Sequence, residues 1–420
     1  MRAARSFRLV FLLLALSGAI GCVTPPLPPM GADRTTAQLE PDEQALWKES
    51  RAIQYEIESA GLHFDDASVD AYLAQVLARA TPARMRQAGL EPRIEVISNL
   101  AIDGYSFANG VIYIHTALLA QMTDETMLAT MLTRELAHVV NRNALRARRE
   151  KRRTADTMAW VGVGSSMVEG GGEAKLLLQA ANMTSAVNFH HTIETIADER
   201  GLEFLDEAGY GVGETPKLYE TTIEYIAEVH AQGAWGWVPF VPPPPVLARV
   251  QGMKTLIQTK YPDQRATRPP ILDAAAFQRR LLPVTIRQAE LELAAGLFRS
   301  AEKTARRATE SSGDDPEPWV VLGRALMGQR TKPIANQPTP SIKQAREAFE
   351  EALRRDRRSA VAVRELAMSY YRTTGLARAR TGEESDAALA GFRRYLQLSP
   401  EASDRAYIEQ YIRELAQGER

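Results

Sequence analysis

The stretch MLATMLTRELAHVVNRN, Met127 to Asn143, decides how the rest of the chain is read. Leu128, Met131, Leu132, Leu136, Val139 and Val140 recur at helical spacing, so the segment predicts a helix buried in a core. Asp124 and Glu125 precede it and Arg142 follows near its end, the charge order that a helix dipole favours. Inside it stand Arg134, Glu135 and His138.

Arg134-Glu-Leu-Ala-His138 is one letter away from H-E-x-x-H. In that motif two histidines on one helix face bind zinc, and the Glu between them is the base for the metal-bound water. Arg134 occupies the place of the first histidine. Downstream, HHTIETIADERG at residues 190–201 predicts a second helix, with Glu194 and Asp198 on one face. A zinc site whose third ligand is a glutamate takes it from a separate helix. Glu194 then ligates the metal and Asp198 orients a ligand histidine from behind it.

These residues resemble the gluzincin metallopeptidase family of the membrane heat-shock peptidase HtpX, the CAAX-prenyl endopeptidase and BepA-like periplasmic proteases. The resemblance runs from about Glu43 to about Ile257. It includes the hairpin YSFANGVIYI (105–114), the apolar TALL (116–119) and GLEFLDEAGY (201–210). It implies an α+β zincin-like domain, one zinc ion held by His138 and Glu194, Glu135 as catalytic base, and a protein or peptide substrate. Family members often carry a His-Pro pair before an arginine that matches Arg249; this chain has four prolines there, Pro242 to Pro245, and no histidine.

Upstream, Arg2, Arg5 and Arg8 followed by the apolar Leu9 to Leu16 read as a signal peptide over residues 1–21. Leu16-Ser-Gly-Ala-Ile-Gly-Cys22 resembles a bacterial lipobox, which makes Cys22, the single cysteine, the lipid attachment point. The competing reading is an ordinary secretory signal with an incidental cysteine. Val23 in place of an aspartate points to the outer membrane and its periplasmic face. Residues 22–42, with Pro25, Pro26, Pro28 and Pro29, predict an extended tether. A formal net charge of −1 gives no reason to expect a nucleic acid partner, and the basic run Arg146 to Arg153 reads as a solvated helix end.

Two packing helices are expected over Glu43 to Leu77, a strand at Arg93 to Ile97, and a hairpin at Asn109-Gly110. That hairpin either lines the cleft, adding a strand to an extended substrate, or only completes a small sheet. The glycine-punctuated stretch 155–187 is either a flap near the cleft or a buried helix with a surface loop. Trp235, Trp237 and Phe240 are expected to pack their loop, and His63, His115 and His230 to be isolated packed or surface residues. From Leu281 small and aromatic residues recur as in tetratricopeptide repeats: Ala289, Phe298, Ala301 and Ala308; then Trp319, Gly323, Ala345 and Phe349; then Ala367, Ala388 and Phe392. The fold class is therefore mainly α, a zincin-like domain at 43–270 followed by an all-α solenoid at 281–420.

Arg134 divides the functional expectations. A guanidinium has no lone pair for zinc and brings a competing positive charge. Rescue comes either from His190 or His191, one turn before Glu194, as replacement ligands, or from Arg134 itself pairing with Glu194 and Glu135 in place of the ion. The first makes the chain an envelope zinc metalloendopeptidase in quality control or assembly of envelope proteins. The second makes it a metal-free pseudopeptidase acting as chaperone or assembly scaffold through cleft and repeats. A third reading leaves only the repeat face in use, as an adaptor.

Overall fold

The computed structural model describes residues 27–157, 191–232, 243–263, 267–333, 338–372 and 382–417. The protein is mainly α, with one three-stranded sheet in its first half. Helix α1 (Pro41–Ser59) starts on a proline, whose missing N–H costs nothing there. Helix α2 (Ala67–Ala80) is capped by the Asp66 carboxylate, which accepts from the Ser68 and Val69 amides, and buries Val69, Tyr72, Leu73, Val76 and Leu77 along one stripe. A short α3 (Ala83–Gln87) leads to the sheet.

The strand order is β1 (Arg93–Ile97), β3 (Val111–His115), β2 (Gly104–Ser106), with β3 parallel to β1 and antiparallel to β2. All five β3 residues are buried, as befits a central strand covered on both faces. The expected hairpin forms with three loop residues: Phe107 N–H donates to Val111 O at 2.8 Å, and Gly110 takes the left-handed conformation at φ 87°. The free edge of the hairpin is therefore β2.

Helix α4 (Thr116–Gln121) follows at once, then α5 (Glu125–Val140), in which every residue but Arg134 is buried. Asp124 caps α5, accepting from Met127 N–H at 3.0 Å. Glu125 in its first turn is buried, and satisfied by Tyr72 OH at 2.7 Å, Tyr210 OH at 2.8 Å and Arg79 at 2.7 Å. The helix stops at Arg142, which has φ 54° although it is not glycine. A buried two-pronged pair with Glu43 (2.8 and 2.5 Å) holds it there.

Two expectations are corrected here. The tether predicted over residues 22–42 is already docked by Leu27. Arg146 and Arg142 donate to the carbonyls of Leu27 (2.5 Å) and Pro28 (3.3 Å), Met30 N–H donates to Val140 O at 2.8 Å, and the Met30 side chain enters the core. The basic run lies on α6 (Asn143–Thr157), and two of its arginines are paired rather than merely solvated: Arg148 with Glu49 at 2.6 Å, Arg149 with Asp42 at 2.8 Å. The acidic start of α1 provides the partners.

Helices α7 (His191–Glu207), α8 (Thr215–Ala231) and α9 (Pro243–Lys260) complete the packing around α5. Then come α10 (Ala274–Arg280) and the repeat helices α11 (Leu282–Ala294), α12 (Phe298–Ser311), α13 (Glu317–Thr331), α14 (Ile342–Arg355), α15 (Ala360–Tyr371), α16 (Gly382–Leu398) and α17 (Arg405–Gln417). Consecutive repeat helices pack on one another, and small residues set the approach: a Cβ on Gly323 would meet the Phe349 ring at 2.3 Å. Among the described residues no helix is long and apolar enough to cross a membrane.

The seam between the two halves is not a free linker. Phe277, Leu281, Val284 and Leu297 belong to the same core as α2, α5 and α8. Phe277 is fully buried, edge-on to Tyr72 at 6.3 Å. Phe277→Ala is therefore expected to lower the unfolding free energy by about 3–5 kcal/mol in urea denaturation of the full chain; a loss under about 1 kcal/mol would show that α10 lies outside the core.

Candidate active site

The site forms where α5 and α7 touch. On α7, Glu194, Asp198 and Gly201 fall on one face, and a Cβ on Gly201 would lie 3.0 Å from the Arg134 Cα. Glycine here lets the two backbones approach until short acidic side chains on α7 reach the middle of α5.

Arg134 is the hub. Its Nη1 donates to Glu135 at 2.5 Å, its Nη2 donates to Glu194, and its Nε lies 3.3 Å from Asp198. The Arg249 guanidinium on α9 holds Asp198 with two hydrogen bonds (3.0 and 2.7 Å), lies 3.3 Å from Glu194, and stacks over Tyr219 of α8. Tyr219 OH donates to Asp198 at 2.8 Å. Two arginines thus interleave with three carboxylates. The partner of Asp198 is not the ligand histidine expected from the sequence; it is occupied by Arg249, Tyr219 and Arg134.

On the other side of α5, Ser106 Oγ donates from edge strand β2 to the Glu135 carboxylate at 2.9 Å, and the Asn143 amide sits 2.8 Å from His138 Nδ1. His138 Nε2 therefore points inward, 3.8 Å from Glu194 Oε1.

Charge states follow from burial and neighbours. Burial pushes the Glu135 carboxyl up to about 7, against the pull of Arg134 and Ser106. Burial, and then the positive charge of Arg134, push His138 down to about 4, so its ring is neutral at neutral pH. Burial would raise Glu194, but Arg134, His138 and Arg249 outweigh it and hold the carboxylate down at about 2. Arg134 is likewise held in its charged form well above its ordinary value: desolvation opposes, and Glu194 and Glu135 prevail.

This donor set does not fit a zinc ion with three protein ligands. His138 Nε2 and Glu194 Oε1 converge, since two tetrahedral ligands at ~2.0–2.1 Å from one ion stand roughly 3.4 Å apart. The third position is Arg134, and its guanidinium lies between the carboxylates that would face the metal. Among the described residues no group of three His, Cys, Asp or Glu is placed to hold a metal ion. His190 lies outside the described residues; His191 opens α7, but its side chain is not described. Cys22, the glycine-rich stretch 158–187 and Trp235, Trp237 and Phe240 also lie outside them.

Ser106, Asn143 and Tyr219 were missed as site residues in the sequence, and Arg249 was seen only as a matched position. The available signal was Arg249 itself, a second cation for the carboxylates of α7.

Residues 67–272 match the model of "Peptidase family M48". The "Beta-barrel assembly-enhancing protease" of Escherichia coli (strain K12) is 26% identical over 135 residues, 31% of this chain and 28% of that protein. The same-named protein of Yersinia pestis is 27% identical over 131 residues, 30% and 27% of the two chains. The match thus spans about 28% of the length of these curated relatives. A solved structure, the "TPR2AB-domain:pHSP90-complex of yeast Sti1", aligns with 70% of this chain and 92% of its own at 12% identity and a TM-score of 0.26. The helix pair α5 and α7, the edge hairpin and the matched span thus agree in making residues 67–272 similar to Peptidase family M48, a metallopeptidase family, with Arg134 where the motif has its first histidine.

Proposed function

We propose that the chain is a metal-free pseudopeptidase of the bacterial cell envelope, a chaperone or assembly scaffold that binds protein segments through its cleft and repeats. The observation that carries this reading is the Arg134 guanidinium between Glu135 and Glu194, doing for the carboxylates what a metal ion does in an active relative. Glu135 is retained in the place of the base, but α5 carries no second histidine to join His138 and Glu194 in completing a metal site. The relatives named for enhancing β-barrel assembly direct the reading to quality control or assembly of envelope proteins. The lipobox at Cys22 and the basic, apolar leader support lipid anchoring at the periplasmic face of the outer membrane. The competing reading, a zinc endopeptidase, draws on the inward-facing His138 and Glu194.

Purified protein is expected to contain well under one zinc per chain by elemental analysis, and to leave an unfolded outer-membrane protein uncut while slowing its aggregation. Arg134→His restores the i, i+4 donor and removes the competing charge, so zinc affinity by calorimetry should rise more than ~100-fold. Stoichiometric zinc in the unmodified chain, with cleavage abolished by a chelator, would establish the endopeptidase instead.

Arg134→Ala leaves Glu194 buried without its main partner and is expected to cost about 3–5 kcal/mol. The pH dependence has a definite sign. Glu194 is held at about 2 against an ordinary 4.5, so its contribution is complete above 4.5 and is lost as pH falls towards 2. Urea midpoints of the unmodified chain should therefore drop between pH 5 and pH 3, and the Arg134→Ala variant should show a smaller drop over that window.

Cys22→Ser should move the protein from the detergent phase to the aqueous phase in a cell-envelope partitioning assay. Unchanged partitioning would remove lipidation from the proposal.

A further inference from the structure

Helix α11 differs from the later repeat helices at two buried positions. Its small residue Ala289 corresponds to Gly323 of α13 and Ala367 of α15. One residue earlier stand Gln288, Leu322 and Leu366; three residues later stand Glu292, Leu326 and Tyr370. Two sites that are apolar or aromatic in later repeats are thus polar in the first, and Gln288 and Glu292 are both 0% exposed. Burial of polar groups where leucine would serve is costly unless they are bonded and specify something.

What they bond to is the first half of the molecule. Thr116 Oγ1 of α4 donates to Gln288 Oε1 at 2.9 Å, and Gln288 Nε2 donates to Tyr225 OH of α8 at 3.2 Å and to Glu292 Oε1 at 3.1 Å. Tyr225 OH donates to Leu100 O at 3.4 Å, and Asn99 N–H donates to Thr116 Oγ1 at 3.1 Å. Leu100 and Asn99 belong to the loop that runs into edge strand β2, where Ser106 holds Glu135. A continuous polar chain, buried at its α11 end and part-buried where it meets the loop, therefore links the first repeat helix to the cleft loop, with one ionisable carboxyl at its end.

The groups facing that carboxyl are Tyr225 from α8, and Thr304 and Arg307 from α12, with Glu310 beyond Arg307. Helix α4 carries no ionisable residue, Arg324 of α13 pairs with Glu365, and Arg280 of α10 lies over Tyr72. Glu292 Oε2 has no well-aligned donor among the described residues. Burial is the main influence on Glu292; it raises the carboxyl to about 7 against the opposing pull of Gln288, Thr304, Arg307 and Tyr225.

We propose that Glu292 is a proton-controlled latch between repeats and cleft: as the neutral acid it lets α11 close on α4 and α8, and as the carboxylate it loosens that seam and the loop leading to β2. A carboxyl raised from 4.5 favours the closed form fully below 4.5, loses that favour as pH rises to about 7, and changes no further above it.

Hydrogen exchange of the full chain tests this between pH 5 and pH 8, after correction for intrinsic amide rates. Backbone opening over 282–294 and 98–103 should increase up to about tenfold per pH unit until pH 7 and then level off, while 342–355 serves as reference. Glu292→Leu, which copies the later repeats, should flatten the profile. Glu292→Gln keeps the shape and polarity of the site and should flatten it too, so the result does not depend on one variant folding. A flat profile in the unmodified chain, or an undiminished pH dependence in either variant, overturns the latch.

Discussion

Arg134 puts a permanent positive charge where α5, α7 and the edge strand meet, and the surrounding side chains are arranged to answer it. Glu194 stays ionised because of that charge, and His138 stays neutral partly because of it. Glu135 carries an intermediate burden, pushed up by burial and pulled back by its arginine neighbour. A cleft of this type places several carboxylates in a dry place, and they need a cation. In a metallopeptidase an ion supplies it; in the function proposed for this chain the Arg134 guanidinium, paired with Glu135 and Glu194, supplies it. Because a buried charge left unpaired costs several kcal/mol, removing Arg134 without supplying another cation would leave Glu194 exposed to that cost.

The scaffold that delivers the carboxylates is the one a metal site would need. Gly201 lets α7 settle against the Arg134 backbone, and the i, i+4 spacing of Glu194 and Asp198 aims both at α5. Arg249 and Tyr219 then fix Asp198 from two further helices. The pseudopeptidase reading therefore asks for no change of fold. In that reading one substitution on α5 exchanges an ion for a guanidinium, while Arg249 and Tyr219 still hold Asp198.

The repeats are joined to this domain by a shared core and a polar chain, not by a flexible tie. Phe277, Leu281, Val284 and Leu297 are as much part of the packing around α5 as Leu132 or Leu136. From the inner face of the first repeat onward the helices form separate apolar clusters, so among the described residues the first repeat is the one that shares the core of the domain before it.

What the sequence determined by itself was whatever has a local period or a short signal. The buried helix was legible from its apolar stripe, the common face of Glu194 and Asp198 from their spacing, the turn at Gly110 from Asn-Gly, and the repeat helices from small residues at matching places. The pairing of Arg134 with Glu194 and Glu135 could be set out as one alternative because a guanidinium cannot bind a metal, but only the packing of α7 on α5 brought those atoms together. Tertiary structure alone decided that Asp198 faces Arg249, that Ser106 and Asn143 reach Glu135 and His138, that the segment from Leu27 docks on the end of α5, and that the basic α6 finds its acids on α1. Most of these contacts join residues tens of positions apart with no periodic pattern between them. The exception, Asn143 to His138, depends on a left-handed turn at Arg142 that no glycine marks. Spacing along a chain determines which residues share a face, whereas the choice of which face meets which is made by the packing of the whole core.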